Sequence, residues 1–187
     1  MQYLKDHYYH VFNRGNNKQR IFMKDENYLY LLDLFQKNKQ RYSITIIAYC
    51  LMPNHYHLLL YQDNDKSISR FLKSTFQSYA QAFNKKYDRT GKLFEGNPQG
   101  KLIDDESYLT HLCRYIHLNP VDAGIVDDNE LWPYSNYFEF IDKRNGTLYE
   151  PEFIKEYFSD VGYQQFVLDY IHEKQKYREI GKYLFEE

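Results

Sequence analysis

The sequence predicts an α+β fold whose elements follow one another in the order β-α-β-β-α-β, with a further helix after them. Two observations support this order. Apolar, β-branched runs alternate with stretches in which apolar residues recur at helical spacing. Two of the runs are joined by the single tight connection Met52-Pro53-Asn54, which is typical of a hairpin. This is the order of the ferredoxin-like, or split βαβ, fold, in which an antiparallel sheet carries two helices on one face.

Local patterns assign the elements of the first half. The stretch at 7–12 predicts a strand, and Asp25 is expected to cap a helix whose apolar residues recur at helical spacing. The β-branched stretch 42–51 predicts a buried strand, because such residues fit a pleated sheet. Residues 55–61 predict the return strand of the hairpin.

The second half continues with a helix, a short strand and a third helix. Ser67 is expected to cap the second helix, and 101–103 predicts the fourth strand. Asp104 or Asp105 is expected to cap the third helix. Pro120 is expected to end that helix, since the residue before a proline disfavours helical backbone. One face of the sheet is then left for a ligand or for another helix.

Beyond residue 128 the character of the chain changes. The stretch LWPYSNYF predicts an aromatic packing segment, and residues 150–179 predict two more helices. We therefore expect residues 129–187 to form an extension that packs on a first domain of residues 1–128.

Composition argues for a folded protein without a membrane span. Of the 187 residues, 19% are aromatic, which supplies enough apolar surface for a core. Cys50 and Cys113 lack the spacing of a metal or redox motif. No apolar run approaches the ~20 residues that cross a bilayer. We expect a protein of the reducing cytosol, with a cytoplasmic location and no membrane partner.

Charge is divided unevenly along the chain. The first 101 residues hold 16 Lys and Arg against 8 Asp and Glu, whereas the remainder holds 8 against 18. Such a split is typical of a basic binding face beside an acidic appendage. The same uneven distribution would also arise if the charged residues only kept different surfaces of the protein hydrated, and the two explanations are equally favoured.

Two histidines in the return strand form the first candidate site. His55 and His57 are separated by one residue, so their side chains share a face of the strand, with Cα atoms about 6 to 7 Å apart. Two imidazoles at this spacing can converge on one metal ion. They can also be half-buried histidines with ordinary hydrogen bonds, and the pattern alone favours this second interpretation.

The third helix offers a second candidate set. Tyr115 and Asn119 are four residues apart and therefore neighbours on one helical face, separate from the apolar stripe that faces the core. A hydroxyl and an amide oxygen side by side would suit a nucleophile beside a metal ligand. Alternatively, Tyr115 packs on the sheet and Asn119 only ends the helix, and taken alone this interpretation is favoured.

Three stretches together resemble a known family in order and spacing. They are YHVFNRGNNKQRIF at 9–22, YCLMPNHYHLLL at 49–60 and YLTHLCRYIHLNPVDAGIV at 108–126. The resemblance is to the single-tyrosine HUH transposases, with the REP-associated tyrosine transposase branch as the nearest likeness. It covers roughly residues 8–136, and the tail also looks like the helical extension of many members.

The resemblance implies an enzyme that nicks and joins DNA. Members cut and rejoin single-stranded DNA beside imperfect palindromes that form hairpins. They use a divalent metal, Mg²⁺ or Mn²⁺, and a tyrosine that becomes linked to the 5′ phosphate. Matched onto this sequence, Tyr115 is the nucleophile and residues 1–128 are the catalytic domain. The protein would act alone or as a homodimer, since both arrangements are known among related enzymes.

The resemblance also implies the metal ligands. His55 and His57 match the histidine pair, and Asn119 matches the third ligand, although related enzymes carry glutamine at that place. Two other histidines of the third helix, His111 and His117, are alternatives to Asn119. Magnesium or manganese is expected rather than structural zinc, which takes four closed ligands that are often cysteines.

The expected DNA contacts come from the same match and from the basic first half. They are Arg14, Lys18, Arg20, Asn54, Lys73, Lys85, Lys86, Arg89 and Lys92. Two departures from the family pattern remove positive charge near the expected DNA path. Asp122 stands where many relatives have arginine, and the loop leading to Lys101 lacks a basic-aromatic pair.

Two other functions remain open on the sequence. A non-catalytic single-stranded nucleic-acid binding module on the same fold would stack bases on sheet aromatics, and the acidic extension favours it. A zinc-dependent hydrolase would need a carboxylate base beside the histidines, and the sequence shows no such motif.

Overall fold

The part of the chain that the computed structural model describes is residues 3–63, 67–159 and 162–184. The strands are β1 His7–Arg14, β2 Ile44–Met52, β3 His55–Gln62 and β4 Gln99–Ile103. The helices are α1 Asp25–Tyr42, α2 Ser67–Lys86, α3 Glu106–Asp122, α4 Tyr137–Phe140, α5 Pro151–Phe158 and α6 Tyr163–Leu184. Within these ranges no helix has the length and apolar character needed to cross a membrane.

The strands form one sheet in the order β2-β3-β1-β4. β1 is antiparallel to both of its neighbours, β3 and β4, and β3 is antiparallel to β2. β1 and β2 therefore run the same way, with β3 between them. This is the split βαβ, ferredoxin-like arrangement, and the fold prediction is confirmed.

The two faces of the sheet are covered by different helices. α1 and α2 pack together on one face, where Phe35 of α1 lies 5.9 Å from Phe71 of α2 between ring centroids. On the same face Tyr56 of β3 stacks on Phe76 of α2, with centroids 4.2 Å apart. α3 lies on the other face with Ile116 fully buried. A helix thus covers the face that the sequence left for a ligand or another helix.

The residues that cap the helices match the predictions from the sequence only in part. The predicted cap at Asp25 is wrong, because Asp25 is the first residue of α1 and the Asn27 side chain accepts two N–H groups of the preceding turn, at 2.9 and 3.1 Å. Asp25 instead places its negative charge at the positive end of the helix dipole. α3 has its expected cap, since Asp105 accepts the Tyr108 N–H at 3.4 Å. The side chain of Ser67, expected to cap α2, lies outside the described residues.

The predicted end of α3 at Pro120 is also wrong, because the helix continues to Asp122. Pro120 cannot donate to the carbonyl four residues before it, but the N–H groups that follow can, and the Ala123 N–H still bonds to the Asn119 carbonyl at 2.9 Å. The Ile125 N–H bonds to the Pro120 carbonyl at 2.9 Å, and Gly124 adopts a positive φ of 65°. This Schellman cap ends the helix two residues after the proline.

The segment after residue 128 closes one edge of the sheet. The Leu51 N–H bonds to the Tyr134 carbonyl at 2.9 Å. The buried Asn136 side chain accepts the Tyr49 N–H at 2.7 Å and donates to the Ile47 carbonyl at 2.8 Å. β2 is an edge strand of the sheet, and these bonds pair backbone N–H and C=O groups on its outer side that would otherwise be unpaired. The sequence predicts aromatic packing here, but not this strand-like pairing.

Replacing Asn136 with Ala should lower the free energy of unfolding by about 2 to 4 kcal/mol, because it leaves buried backbone groups of β2 without partners. Urea denaturation followed by circular dichroism measures the change. Asn145 is exposed in the same extension, so Asn145→Ala should cost no more than about 0.5 kcal/mol. An equal loss in the two variants would show that the Asn136 bonds do not hold the edge.

Candidate active site

A cavity of about 750 Å³ opens where β1 ends and β3 begins. Antiparallel pairing sets Arg14 opposite His55 and Phe12 opposite His57, and all four side chains line the cavity. Asn54, in the turn before β3, lines it as well. β1 and β3 are distant in sequence, but their register brings the guanidinium of Arg14 and the imidazoles of His55 and His57 to the same cavity.

The two histidines share a face, as their spacing predicts. Their ring centroids lie 5.2 Å apart; His57 is 7% exposed and His55 is half-buried. The Nδ1 atom of His55 lies 2.7 Å from Asn54 Oδ1, and that of His57 lies 2.9 Å from Nε2 of His10. Because both Nδ1 atoms are engaged, Nε2 is the atom that each ring can offer to a ligand.

α3 brings its two candidate side chains to the same place. The Tyr115 ring stands edge-on to His57 and His10, with centroids 5.6 and 6.3 Å away. Its side chain is 49% exposed, so a substrate can reach it. Asn119 donates to the Tyr115 carbonyl at 2.9 Å, and its side chain also forms a hydrogen bond with His55. The four side chains singled out in the sequence therefore form one cluster.

Burial keeps the imidazoles of this cluster neutral. It lowers the pKa of His57 to about 3, with smaller effects from the neighbouring His10 and His55. Burial likewise lowers the pKa of His10 to about 4, and the charge of Lys101 acts in the same direction. The pKa of His55 is also lowered by burial, against a hydrogen bond with Asn119 that raises it. A neutral imidazole is the form that binds a metal.

The donor set fits a metal that is held partly by substrate and water. Within the described ranges no three His, Cys, Asp or Glu side chains are grouped as metal ligands. What remains is two imidazole nitrogens, from His55 and His57, and the amide of Asn119. This neutral set is too small for a structural zinc site, which takes four protein ligands. It leaves coordination positions for phosphate oxygens, as in magnesium and manganese sites that act on phosphates.

The two alternatives to Asn119 contact other parts of the molecule. His111 bonds to Arg114 at 2.8 Å on the exposed side of α3. His117 is fully enclosed, with its two ring nitrogens 2.6 Å from the Tyr163 hydroxyl and 2.9 Å from Asn136 Oδ1. His117 therefore ties α3 to the extension and has no ring nitrogen left for a metal.

α6 packs on the outer side of α3, the side that faces away from the sheet, through two sets of contacts. Arg114 lies over the rings of Phe166 and Tyr170, with its guanidinium carbon 4.5 and 4.0 Å from their centroids. Lys174 forms an ion pair with Asp122 at 2.6 Å. The negative charge of Asp122 is thus balanced by a lysine of the extension.

Three of the expected DNA contacts, Arg14, Lys18 and Asn54, line the histidine cavity. Arg14 forms a two-pronged ion pair with Glu95, in which the longer bond measures 3.1 Å. Asn54 is the hydrogen-bond partner of His55. The cavity therefore carries less unpaired positive charge than the sequence alone suggests.

The other six expected contacts do not line this cavity. Lys73 borders a second cavity of about 510 Å³ between α2 and the loop before β4. Lys86 pairs with Glu26 of α1 at 2.6 Å, and Arg89 bonds to two amide side chains at 2.7 Å. The remaining three are exposed: Arg20, Lys85 and Lys92.

Two residues of the site were missed in the sequence. His10 lies on β1 two residues before Phe12, and the alternation of a strand gives both the same face. That signal was present in the sequence, but only the register of β1 against β3 makes His10 a neighbour of His57. Glu95 had no comparable signal, because its contact with Arg14 depends on the path of a loop.

Comparison with known proteins assigns the family. The sequence pattern described as Transposase IS200 like matches residues 3–119. The chain belongs to the IS200-like transposase family. A Haemophilus influenzae protein assigned to the REP-associated tyrosine transposases is 29% identical over 135 residues, or 63% of this chain and 76% of that protein. The family predicted from the three stretches is confirmed.

A solved structure extends the likeness to the fold. A REP-associated tyrosine transposase bound to a REP hairpin matches with a TM-score of 0.61 and 17% identity, over 80% of this chain and 94% of that one. The IS200-like match spans β1 to Asn119, and so includes the whole histidine and tyrosine cluster. α4, α5 and α6 lie beyond the part that defines the family.

Stability of the metal-free protein should decrease between about pH 6.5 and pH 4, and His117 should account for part of the decrease. Burial lowers the pKa of His117 to about 4, against the Asn136 hydrogen bond, which raises it. In this range the unfolded chain binds a proton that the folded chain excludes, so each pH unit costs up to about 1.4 kcal/mol for this group. Urea unfolding at several pH values measures the slope.

His117→Gln should be less stable than the wild type at pH 7 but lose stability more slowly as the pH falls. The exposed His172 of α6 provides the control, and His172→Gln should keep the wild-type slope. Equal slopes in His117→Gln and wild type would contradict the assignment.

Proposed function

We propose that the protein nicks and rejoins single-stranded DNA next to hairpins through a covalent link between Tyr115 and a 5′ phosphate. The observation that carries the proposal is the edge-on contact of the exposed Tyr115 ring with the buried His57. Membership of a transposase family supports a reaction on DNA. The related structure with a bound REP hairpin supports a hairpin as the form of the substrate.

The proposed reaction exchanges one phosphodiester for another. The Tyr115 oxygen forms a bond to phosphorus, and the bond from phosphorus to the 3′ oxygen of the adjoining nucleotide breaks. That oxygen leaves as a 3′ hydroxyl, and the tyrosine loses its proton. A second 3′ hydroxyl can reverse the step, so that strands are joined without a nucleotide cofactor.

The chain's residues would hold the phosphate in line with Tyr115. His55 and His57 through Nε2, and Asn119 through its amide, would bind Mg²⁺ or Mn²⁺. The ion would neutralise phosphate charge, which lets a tyrosine with a pKa near 10 in solution act at neutral pH. Arg14 and Lys18 at the cavity would contact the DNA backbone. In this proposal residues 1–128 are the catalytic domain, and 129–187 are the extension that supports α3.

A non-catalytic DNA-binding module is the second candidate. The pairing of Arg14 with Glu95 favours it, because an acidic group beside the cavity opposes the approach of the scissile phosphate to the histidines, whereas binding alone can use phosphates elsewhere on the strand. The two candidates differ in one product, since only the enzyme forms a covalent protein–DNA species.

Tyr115→Phe should abolish covalent adduct formation while leaving DNA binding intact, because it removes the oxygen that attacks phosphorus. Its Tm should change by no more than about 2 °C, as expected for a half-exposed side chain. The test incubates a labelled single-stranded hairpin oligonucleotide with Mn²⁺ and resolves adducts on a denaturing gel.

Tyr108 is a matched control, since it lies two turns earlier on α3 and is equally 49% exposed. Tyr108→Phe should form adducts at the wild-type level. Cleavage by Tyr115→Phe at the wild-type rate would exclude the proposed role, and a wild type that binds hairpin DNA without any adduct would favour the binding module.

Glu95→Gln should strengthen DNA binding at low salt and steepen its salt dependence. Loss of the carboxylate frees Arg14 for a phosphate, and one added contact makes the slope of log K against log salt more negative by about 0.7 for a single strand. Fluorescence anisotropy with a hairpin oligonucleotide at several salt concentrations measures both quantities. Glu152 forms a similar exposed ion pair with Lys155 on α5, and Glu152→Gln should have no effect. If Glu95→Gln leaves the salt dependence unchanged, Arg14 does not contact the DNA backbone, and the DNA binds elsewhere on the protein.

A further inference from the structure

The least expected contact in the cluster joins two buried histidines. His10, at the middle of β1, is 6% exposed, and its Nε2 lies 2.9 Å from Nδ1 of His57. His57 pairs with Phe12 across the β1–β3 ladder, so His10 is its diagonal neighbour on the same face. The two imidazole planes are 22° apart, and the Phe12 ring lies 5.0 Å from His10 and 5.9 Å from His57. Both the position and the tilt of the His57 ring are therefore fixed from β1.

The bond between the two rings also decides which nitrogen of His57 carries its proton. Of two neutral imidazoles in contact, one donates and the other accepts. If His57 donates through Nδ1, its Nε2 keeps a lone pair that can bind a metal. If His57 accepts at Nδ1, its proton sits on Nε2 and blocks that atom. His55 has the matching arrangement, since its Nδ1 can donate to Asn54 Oδ1, which only accepts.

We propose that His10 is a positioning residue of the metal site, which accepts the Nδ1 proton of His57 and so directs the Nε2 lone pair of His57 toward the metal. The proposal rests on the proposed function, in which His57 is a metal ligand. In proteins a ligating histidine usually donates its other ring N–H to an acceptor, most often a carboxylate, a backbone carbonyl or water, and loss of that acceptor lowers metal affinity about 10- to 100-fold. Here the acceptor would be an imidazole nitrogen. His10 itself does not contact the metal.

A pair of substitutions separates this role from simple packing. His10→Phe keeps a ring between Phe12 and His57 but has no acceptor. His10→Gln loses the ring, yet its amide oxygen reaches the position of the imidazole Nε2. Mn²⁺ affinity of the DNA-free protein, measured from the electron paramagnetic resonance signal of free Mn²⁺, is the readout. We expect affinity to fall about 10- to 100-fold in His10→Phe and to stay within about threefold of wild type in His10→Gln.

The remaining outcomes each contradict one statement. Wild-type affinity in both variants, an equal loss in both, or a loss only in His10→Gln overturns the positioning role and leaves His10 as a packing residue. If the wild type binds no Mn²⁺ and forms no DNA adduct, the proposed function is wrong. This result is obtained from the wild type alone, so it is distinct from a failure of the role proposed for His10. Should His10→Phe fail to fold by circular dichroism, His10→Asn takes its place, because the shorter amide withdraws the acceptor while remaining polar.

Discussion

The antiparallel register between β1 and β3 is the constraint on which the site depends. Because side chains alternate along a strand, this register sets His55 and His57 on the face opposite α1 and α2, beside His10 and Phe12. A slip of one residue would exchange the faces of β3. Both histidines would then point into the core that Tyr56 and Leu58 now fill, and no open cluster would exist. The hydrophobic packing of α1 and α2 on the sheet therefore fixes the site indirectly, because a slip of β3 would bury the two histidines in that core and destabilise the fold.

The position of Tyr115 depends on how α3 is held on its outer side. Its inner face packs on the sheet, but a helix on a sheet can still slide or rotate. His117 bonds to Asn136 and Tyr163, and Lys174 pairs with Asp122 near the last turn. Asn136 in turn bonds to the backbone of β2. The extension thus links the edge of the sheet to α3, which makes it part of the geometry of the cluster although the family match ends at Asn119.

Local rules account for what the sequence could predict. Alternation and helical spacing identified the strands, the shared face of the two histidines and the neighbouring positions of Tyr115 and Asn119, because each depends on residues close in sequence. The partners that fix them could not be found in this way. His10 and His57 are 47 positions apart, and Arg14 and Glu95 are 81 apart, so both contacts require the register or a loop path. The wrong cap at Asp25 has a smaller cause, since the helix already begins at Asp25 and Lys24 occupies the cap position.

The pairing of Arg14 with Glu95 bears on how the site can discriminate among anions. Both side chains are about half exposed, and an ion pair in water is weak, so a phosphate that approaches the cavity can replace the carboxylate as the partner of Arg14. Until then Glu95 shields Arg14 and adds a negative charge beside the neutral histidines. A single mobile anion gains little from displacing it. A DNA strand that also binds through other phosphates can offset the exchange, because its further contacts are made within the same molecule. If the DNA path runs over this cavity as proposed, the carboxylate would favour an extended polyanion over a free phosphate ion.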